Sequence, residues 1–417
     1  MSHDRDLTSA PRRPLLLVLG ALVALGPLTI DLYLPAFPAI RDALGASPAA
    51  VQLTLTATTI GLALGQLVVG PWADTVGRRL PLLVATAVHV AASLGVAFAP
   101  DITWVLVCRF LQGAGSAGGA VVAMAVVRDA YTGRPFVLAL ARLALVTGLA
   151  PVIAPTVGAQ LLRLLDWRGL FACVAAYGVL ALVLAALVLP ETLPPHRRGG
   201  TSVREVLRRQ RHVLGDRAFI GVALIGGMMV SGVFAFVTSS SFLLQDVHHL
   251  DANGYGLVFA ANATAFVLGT QGAARLVARF SATVVLGWCL PLLAGAGFLV
   301  ALLDGGGLGL LVACTVAFHV GAGACGPCLS VIGLAHHGEQ AGTAASLLGV
   351  ANFGLAGLIA PVVGAVGVDS AVPVGVAMGL CGTVAFTLFL TLVRPGAAGE
   401  SAAVQGRPTV DDGASRP

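Results

Sequence analysis

Residues 43–73 read ALGASPAAVQLTLTATTIGLALGQLVVGPWA and contain no Asp, Glu, Lys or Arg. A helix needs about 20 mainly apolar residues to cross ~30 Å of hydrocarbon, so this stretch is long enough to span a bilayer. Charged residues follow at once, at Asp74, Arg78 and Arg79. A long uncharged run that ends in a short charged loop predicts a membrane-spanning helix.

Similar uncharged runs recur along the whole chain. Of its 417 residues, 57% are hydrophobic and only 10% are charged, and the mean hydropathy is +0.92. Soluble domains carry about 25% charged residues, so we predict an all-α membrane protein with twelve transmembrane helices. The uncharged windows are 14–30, 43–73, 80–100, 110–127, 143–162, 169–190, 218–245, 252–274, 280–303, 305–335, 340–368 and 370–393.

A long polar insertion divides these windows six and six. The predicted regions are a cytoplasmic tail (1–13), an N-terminal six-helix bundle (14–190), a linker (191–217), a C-terminal six-helix bundle (218–393) and a disordered tail (394–417). The Arg-rich middle of the linker is typical of a short amphipathic helix on the membrane surface. Secondary transporters commonly place the substrate between two such halves.

The arginines predict the orientation. Most of them fall on the side of the termini and the linker, and only Arg41, Arg163 and Arg168 fall on the other side. Loops rich in Arg stay in the cytoplasm. We therefore expect a multi-pass protein of the inner (cytoplasmic) membrane with both termini cytoplasmic.

Composition also excludes several functions. All 24 basic residues are Arg, whereas a Walker-type phosphate-binding loop and a Schiff-base enzyme both need Lys. We therefore expect neither an ATP-driven pump of the usual type nor a Schiff-base enzyme. No cofactor is expected. No basic stripe is interleaved with aromatics, as a nucleic-acid partner would require. No metal is expected, because His248 and His249 with Asp246 and Asp251 have no recognised ligand spacing. A single chain completes the transport pathway of such a fold, so we expect a monomer.

One cysteine pair suggests a different class of protein. Cys325-Gly326-Pro327-Cys328 has the spacing of a thiol oxidoreductase site. Such a site needs a helix N-terminus and access to solvent, whereas this motif lies inside an apolar window. Small residues that allow close helix packing are the favoured interpretation, and membrane thiol oxidoreductase remains an alternative.

Two charged residues interrupt otherwise apolar spans, which costs ~2.5–3.5 kcal/mol or more and indicates function. Asp31 lies in the first span and Arg109 in the fourth. Because burial favours the neutral form of a carboxyl group, Asp31 is a candidate proton carrier. Arg109 stays charged and would hold a carboxylate, carbonyls or water. The alternatives are that Asp31 caps or snorkels at the membrane boundary and that Arg109 braces helices.

Four polar side chains are candidates for the wall of a substrate cavity. Gln112 follows Arg109 by three residues and shares its helix face. The others are Tyr33, Asn262 and Asn352. The alternative for each is a hydrogen bond to a neighbouring helix.

The segment Gly70-Pro71-Trp72-Ala73-Asp74-Thr75-Val76-Gly77-Arg78-Arg79 resembles the signature loop of the major facilitator superfamily. The resemblance implies the major facilitator fold and a gating role for Gly70, Asp74, Gly77, Arg78 and Arg79. Thr75 departs from the pattern, where a basic residue is usual.

Further segments, in order along residues 25–365, are similar to the Bcr/CflA drug:proton antiporters. These are Asp31-Leu32-Tyr33-Leu34-Pro35, Arg109–Gly113, Arg128-Asp129-Ala130-Tyr131, Trp167-Arg168 with Phe171, Glu191-Thr192-Leu193 and Gly342–Gly349. The resemblance implies proton-coupled export of drugs or toxic small amphiphilic molecules across the membrane by alternating access. The implied partners are a small-molecule drug, protons and the lipid bilayer.

The antiporter motif of this family is degenerate here. Ala154-Pro155-Thr156-Val157-Gly158-Ala159 retains Pro155 and Gly158, and Ala replaces two glycines. Export is still favoured over uptake. Val23 stands where some relatives carry a second acidic residue, which favours neutral or weakly charged substrates. The same-fold alternative is a proton-coupled transporter of a native metabolite, such as a sugar or amino-acid derivative.

Overall fold

The fold is built from long helices that cross a membrane. The computed structural model describes residues 13–195, 198, 203–334, 341–367 and 369–393, and this part of the chain contains no strand. Twelve of its helices, or helices continued by a short segment, are long and apolar enough to span a bilayer, which confirms the predicted number. Of the predicted tails at 1–13 and 394–417, residues 1–12 and 394–417 lie outside the described residues.

The first half contains helices α1 to α7 and the second contains α9 to α14. In the first half the bounds are Arg13–Asp31 (α1), Phe37–Leu44 (α2), Pro48–Val76 (α3), Arg79–Ala97 (α4), Ile102–Ala130 (α5), Gly133–Leu161 (α6) and Trp167–Val188 (α7). The linker holds Val203–Leu214 (α8). The second half has Arg217–Phe242 (α9), Ala252–Val277 (α10), Ala282–Leu302 (α11), Leu308–Leu334 (α12), Ala341–Val366 (α13) and Val372–Leu388 (α14). Short π-helical segments extend α9 to Val247 and α14 to Val393.

The first span is longer than its uncharged window, because the chain continues in the same span beyond the end of the α-helix at Asp31. The α-helix stops at Asp31, a short 3₁₀ turn covers Leu34–Ala36, and α2 continues the span to Leu44. Pro35 has no N–H to donate, so a continuous α-helix is unfavourable at this point. The expected start of the second span at residue 43 is therefore wrong, and α3 begins at Pro48, after Ser47 accepts a hydrogen bond from the Ala50 N–H.

Helix α5 lies at the centre of the first half. It packs against α1, α3 and α4, and small residues on its surface let these helices approach closely. In the second half α9 packs on α13 and α14, and α12 packs on α10 and α11. The buried apolar residues of both halves belong to one continuous cluster, and a second cluster lies within the first half.

The two halves meet along two seams, α3 with α13 and α6 with α10. We call the end of the bundle that carries the linker and the 77–78 turn the linker end. The opposite end, which carries the turns at 45–47, 162–166 and 248–251, is the distal end.

The predicted amphipathic helix of the linker is present as α8, and it packs on α9 and α13 of the second half. Its Val213 is fully buried beside Phe219, Ala223 and Ala344. An apolar side chain therefore anchors this Arg-rich helix to the second half.

Candidate functional site

Asp31 lies at the break in the first span. It is the last residue of α1 and is only 6% exposed. The described residues offer it no ion pair, and in particular none with Arg109. The 3₁₀ turn that follows it, Leu34–Ala36, contacts α9 and α10 of the second half. The break therefore places a buried carboxyl group where the two halves meet.

The degenerate antiporter motif lies directly against this break. Pro155 is inside α6. A side chain at Gly158 would overlap the Leu32 carbonyl and come within 3.4 Å of the Pro35 ring. Close approach of α6 to the segment after Asp31 thus depends on the missing side chain at this position.

The other face of the same motif contacts the second half. The hydroxyl of Thr156 donates to the Gly256 carbonyl of α10 at 3.3 Å. Helix α6 therefore joins the Asp31 break to α10, next to Tyr255.

Arg109 lies in a closed polar cluster inside the first half. It is fully buried, and its Nη1 donates to the Gln112 side-chain oxygen. The guanidinium carbon sits 4.0 Å from the centre of the Tyr33 ring and 5.6 Å from that of Phe171. Its Nε and Nη2 have no hydrogen-bond partner among the described residues. A desolvated cation over aromatic faces gains about 2 kcal/mol, which offsets part of the burial cost.

The four residues expected to line a cavity differ in their surroundings. Tyr33 and Gln112 are buried inside the first half, and the Tyr33 hydroxyl bonds Thr54 at 2.9 Å. Asn262 is 2% exposed and donates to the Val258 carbonyl. Asn352 is half-buried, and its side-chain oxygen has no hydrogen-bond partner within the described part of the chain. The expected cavity role of these residues stays a prediction.

The signature loop forms a charged cluster at the linker end. Arg78 is 4% exposed and pairs with Asp74 and, at 2.9 Å, with Asp129 of α5. The Glu191 side chain, which follows α7, accepts the backbone N–H groups of Arg78 and Arg79 at 2.9 and 3.2 Å. Three segments that are distant in sequence therefore meet around Arg78.

Gly77 makes this meeting possible. Its φ of +121° is unfavourable for other residues, and a side chain there would clash with the Glu191 carboxylate. Burial alone would raise the pKa of Glu191, but three backbone N–H groups outweigh that effect and hold the pKa below its usual value. The carboxylate therefore closes the turn in its charged form. In contrast, a side chain added at Gly70 of α3 would meet Val121 at 3.5 Å, which is an ordinary contact.

Sequence reasoning left Asp129 and Glu191 without a role, although both belong to the quoted family segments. It also missed polar contacts between the halves at the distal end. Arg41 of α2 pairs with Asp246 at 2.5 Å, and Gln160 of α6 donates to Asn253 of α10 at 2.6 Å. No spacing in the sequence signals such pairs, because the chain distances are 205 and 93 residues.

The cysteine pair lies in the interior of α12. Cys325 and Cys328 are both free and fully buried, and their thiols face carbonyls one turn earlier in the same helix. Neither thiol lies at a helix N-terminus, where a reactive cysteine would be activated.

The geometry thus combines two helical halves, a buried carboxyl group at their boundary and a charged loop at the linker end. The family model described as Major Facilitator Superfamily matches residues 17–361. The chain belongs to the major facilitator superfamily. The family and its solved neighbours are transporters rather than enzymes, so this protein is a transporter and the oxidoreductase alternative is not supported.

Two curated relatives of this superfamily member span nearly its whole length. The "Uncharacterized MFS-type transporter YdgK" of Bacillus subtilis is 34% identical and covers 93% of this chain and 97% of its own. The "Bicyclomycin resistance protein homolog" of Haemophilus influenzae is 29% identical, over 88% of this chain and 92% of its own. The second relative confirms the resemblance to the Bcr/CflA group.

A solved structure supports the fold. A bacterial homologue of the human lysosomal transporter Spinster, in an inward-facing and unoccupied conformation, has a TM-score of 0.68 at 17% identity. It covers 95% of this chain and 98% of its own. Likeness at this identity concerns the helical architecture alone.

Proposed function

We propose that this transporter is a drug:proton antiporter that exports drugs or toxic small amphiphilic molecules across the cytoplasmic membrane. The observation that carries the proposal is the position of Asp31, buried at the boundary of the halves without a cationic partner among the described residues. The named resistance function of the Haemophilus influenzae relative supports the substrate class.

The proton step follows from the surroundings of Asp31. An unpaired carboxylate is costly in an apolar interior, so burial favours the protonated form and access of water favours the charged form. Movement of one half against the other would change the burial of Asp31, because the 3₁₀ turn that follows it contacts α9 and α10 of the opposite half. Proton binding is thereby tied to the conformation of the transporter.

The contacts between halves support alternating access. Direct hydrogen bonds that link them, including Arg41 to Asp246 and Gln160 to Asn253, lie at the distal end. In the proposed orientation, with both termini cytoplasmic, this closes the external side. The two bundles, 14–190 and 218–393, then rock about a substrate site between them.

The available driving force is sufficient. Moving one charge across the membrane is worth ~2.3 kcal/mol per 100 mV. At 100 mV, exchange of one proton for a neutral drug can therefore sustain a gradient of about fortyfold, since ~1.4 kcal/mol corresponds to a factor of ten.

A susceptibility panel tests the proposal. A host that lacks its main efflux pumps expresses the chain and is challenged with bicyclomycin, chloramphenicol and ethidium, with an uncoupler added in parallel accumulation assays. We expect lower accumulation and higher resistance for at least one compound, and loss of the effect with the uncoupler. A flat panel would reject drug export and would turn attention to a native metabolite.

The Asp31→Asn variant tests the proton carrier. It keeps the size and hydrogen-bonding of the side chain but cannot release a proton, so we expect it to abolish export while it remains in the membrane. Asp101→Asn is the matched control, because Asp101 is exposed at the distal end of α5, where Asn can accept the Trp104 N–H as Asp does. Uncoupler-sensitive export by Asp31→Asn would show that Asp31 is not the carrier.

A further inference from the structure

A directional chain of hydrogen bonds connects α4 to Arg109. Gln112 donates from its side-chain nitrogen to the Ser93 hydroxyl at 2.7 Å, and Ser93 donates to the His89 carbonyl at 2.7 Å. Arg109 donates to the oxygen of the same Gln112 amide. All four residues are fully buried, so water does not replace these partners.

The chemistry at the two ends fixes the direction of the chain. A guanidinium group can only donate and a backbone carbonyl can only accept. Ser93 uses its one hydrogen for the His89 carbonyl and must therefore accept from Gln112. The amide then has its nitrogen towards Ser93 and its oxygen towards Arg109. A reversed amide would point N–H groups at a cation.

A second bond ties the same two helices together. The ring Nδ1 of His89 lies 3.1 Å from the Gln112 backbone carbonyl, which can only accept, so this nitrogen carries the hydrogen. His89 thus fixes the backbone of Gln112 while Ser93 fixes its side chain. The Arg109 guanidinium is in turn held over Tyr33, two residues from Asp31.

We propose that Ser93 is a positioning residue, which sets the Gln112 amide so that its oxygen holds Arg109 over Tyr33. The inference rests on the proposed function and adds to it a role for Arg109, which contacts Tyr33, two residues along the chain from Asp31. Ser93 touches neither substrate nor proton carrier and acts only through Gln112. Its loss leaves the amide nitrogen without an acceptor and frees the amide to rotate away from Arg109.

A double-mutant cycle tests this pathway. Ser93→Ala, Gln112→Leu and the double variant are compared in everted membrane vesicles, where added bicyclomycin drives protons out and restores the fluorescence of a quenched pH dye. We expect Ser93→Ala to lower the rate at least tenfold and Gln112→Leu to lower it at least as much. The double variant should match Gln112→Leu within twofold, because Ser93 has nothing left to orient.

Two further variants separate positioning from a general packing role. Ser93→Thr keeps the hydroxyl and should retain at least half of the rate. Thr86 lies two turns earlier on α4, is equally buried and makes the same bond to a carbonyl four residues back, to Leu82. Thr86→Ala should therefore stay within twofold of the unaltered chain. The inference would be overturned if the rate losses of the two single variants multiplied in the double variant, or if Ser93→Thr lost as much of the rate as Ser93→Ala.

The midpoint of thermal unfolding is also measured for each purified variant of this cycle. Ser93→Ala should lower the midpoint in the unaltered chain and leave it unchanged in the Gln112→Leu background. This readout needs no substrate. If the unaltered chain gives no bicyclomycin signal, the antiport proposal fails for this probe, while the thermal cycle still decides whether Ser93 acts through Gln112.

Discussion

Arg41 is expected to stabilise the closed distal end, and its replacement by Ala should open that end more often. Its guanidinium pairs with Asp246 of the other half at 2.5 Å and lies 5.5 Å from the centre of the Phe242 ring, also in the other half. A further bond to Asp42 on its own helix holds the side chain in place. Opening the distal end must break both contacts with the second half.

The size of the effect follows from exposure. The side chains of Arg41 and Asp246 are 26% and 37% exposed, and such ion pairs contribute about 0.2–1 kcal/mol. A partly exposed cation–π contact adds ~0.5–1 kcal/mol. Arg41→Ala removes both, about 0.7–2 kcal/mol in all, which is a threefold to thirtyfold shift towards the open state. Asp246→Ala removes the ion pair alone and should shift it about 1.4-fold to fivefold.

Distances between spin labels report the equilibrium. Leu164 and Leu302 are 82% and 77% exposed and lie at the distal end of different halves. Each is replaced by Cys in a background without the seven native cysteines. Pulsed electron paramagnetic resonance then gives the populations of short and long distances in each variant.

Arg168→Ala is the control. Arg168 is also a distal arginine with an aromatic contact, but its bonds to Ala99 and Trp167 lie within the first half. Arg168→Ala should leave the distance distribution unchanged. The double variant with exchanged charges, Arg41→Asp with Asp246→Arg, should restore part of the population with the short distance. Equal distributions for Arg41→Ala and Arg168→Ala would refute the reasoning.

Three further predictions concern the linker end and the cysteines. Gly77→Ala should lower the thermal unfolding midpoint by several degrees, because it combines an unfavourable φ with a clash against Glu191. The control Gly70→Ala should change the midpoint little. Equal midpoints for the two variants would contradict this account. The pKa of Glu191 is lower in the folded state than its usual value of 4.5, so its charged form stabilises the fold fully at neutral pH. This contribution should be lost as the pH falls through the pKa of the folded state. Glu191→Gln should therefore make the free energy of unfolding less dependent on pH in the acid range. Replacing Cys325 and Cys328 together by Ser should leave transport within twofold, and a loss of transport that reducing agents reproduce in the unaltered chain would revive a redox role.

Most of the architecture could be read from the sequence. Uncharged runs such as 43–73 predict spanning helices because every backbone polar group must be satisfied internally in lipid. The number of spans is confirmed, but the start of the second span was wrong. Hydropathy does not distinguish a helix that ends at Asp31 from one that breaks there and continues to Leu44, since both segments are apolar.

The candidate site was predicted residue by residue but not as an arrangement. Asp31 and Arg109 were identified because charge is expensive in hydrocarbon. The sequence left open whether Arg109 holds a carboxylate, carbonyls or water. In the structure Arg109 is held by Gln112 and Tyr33 within the first half, while Asp31 lies at the break whose 3₁₀ turn contacts the second half.

Local sequence determined the features that depend on neighbours along the chain, namely the spans, the charged loop at 74–79 and the halving by the linker. Only the tertiary structure decided which polar groups meet. Glu191 closes the turn at Gly77, Ser93 orients the amide beside Arg109, and Arg41 finds Asp246 because packed helices bring together residues up to 205 positions apart. Such contacts depend on helix rotation and on close approach at small residues, and neither is encoded in the periodicity of a single segment.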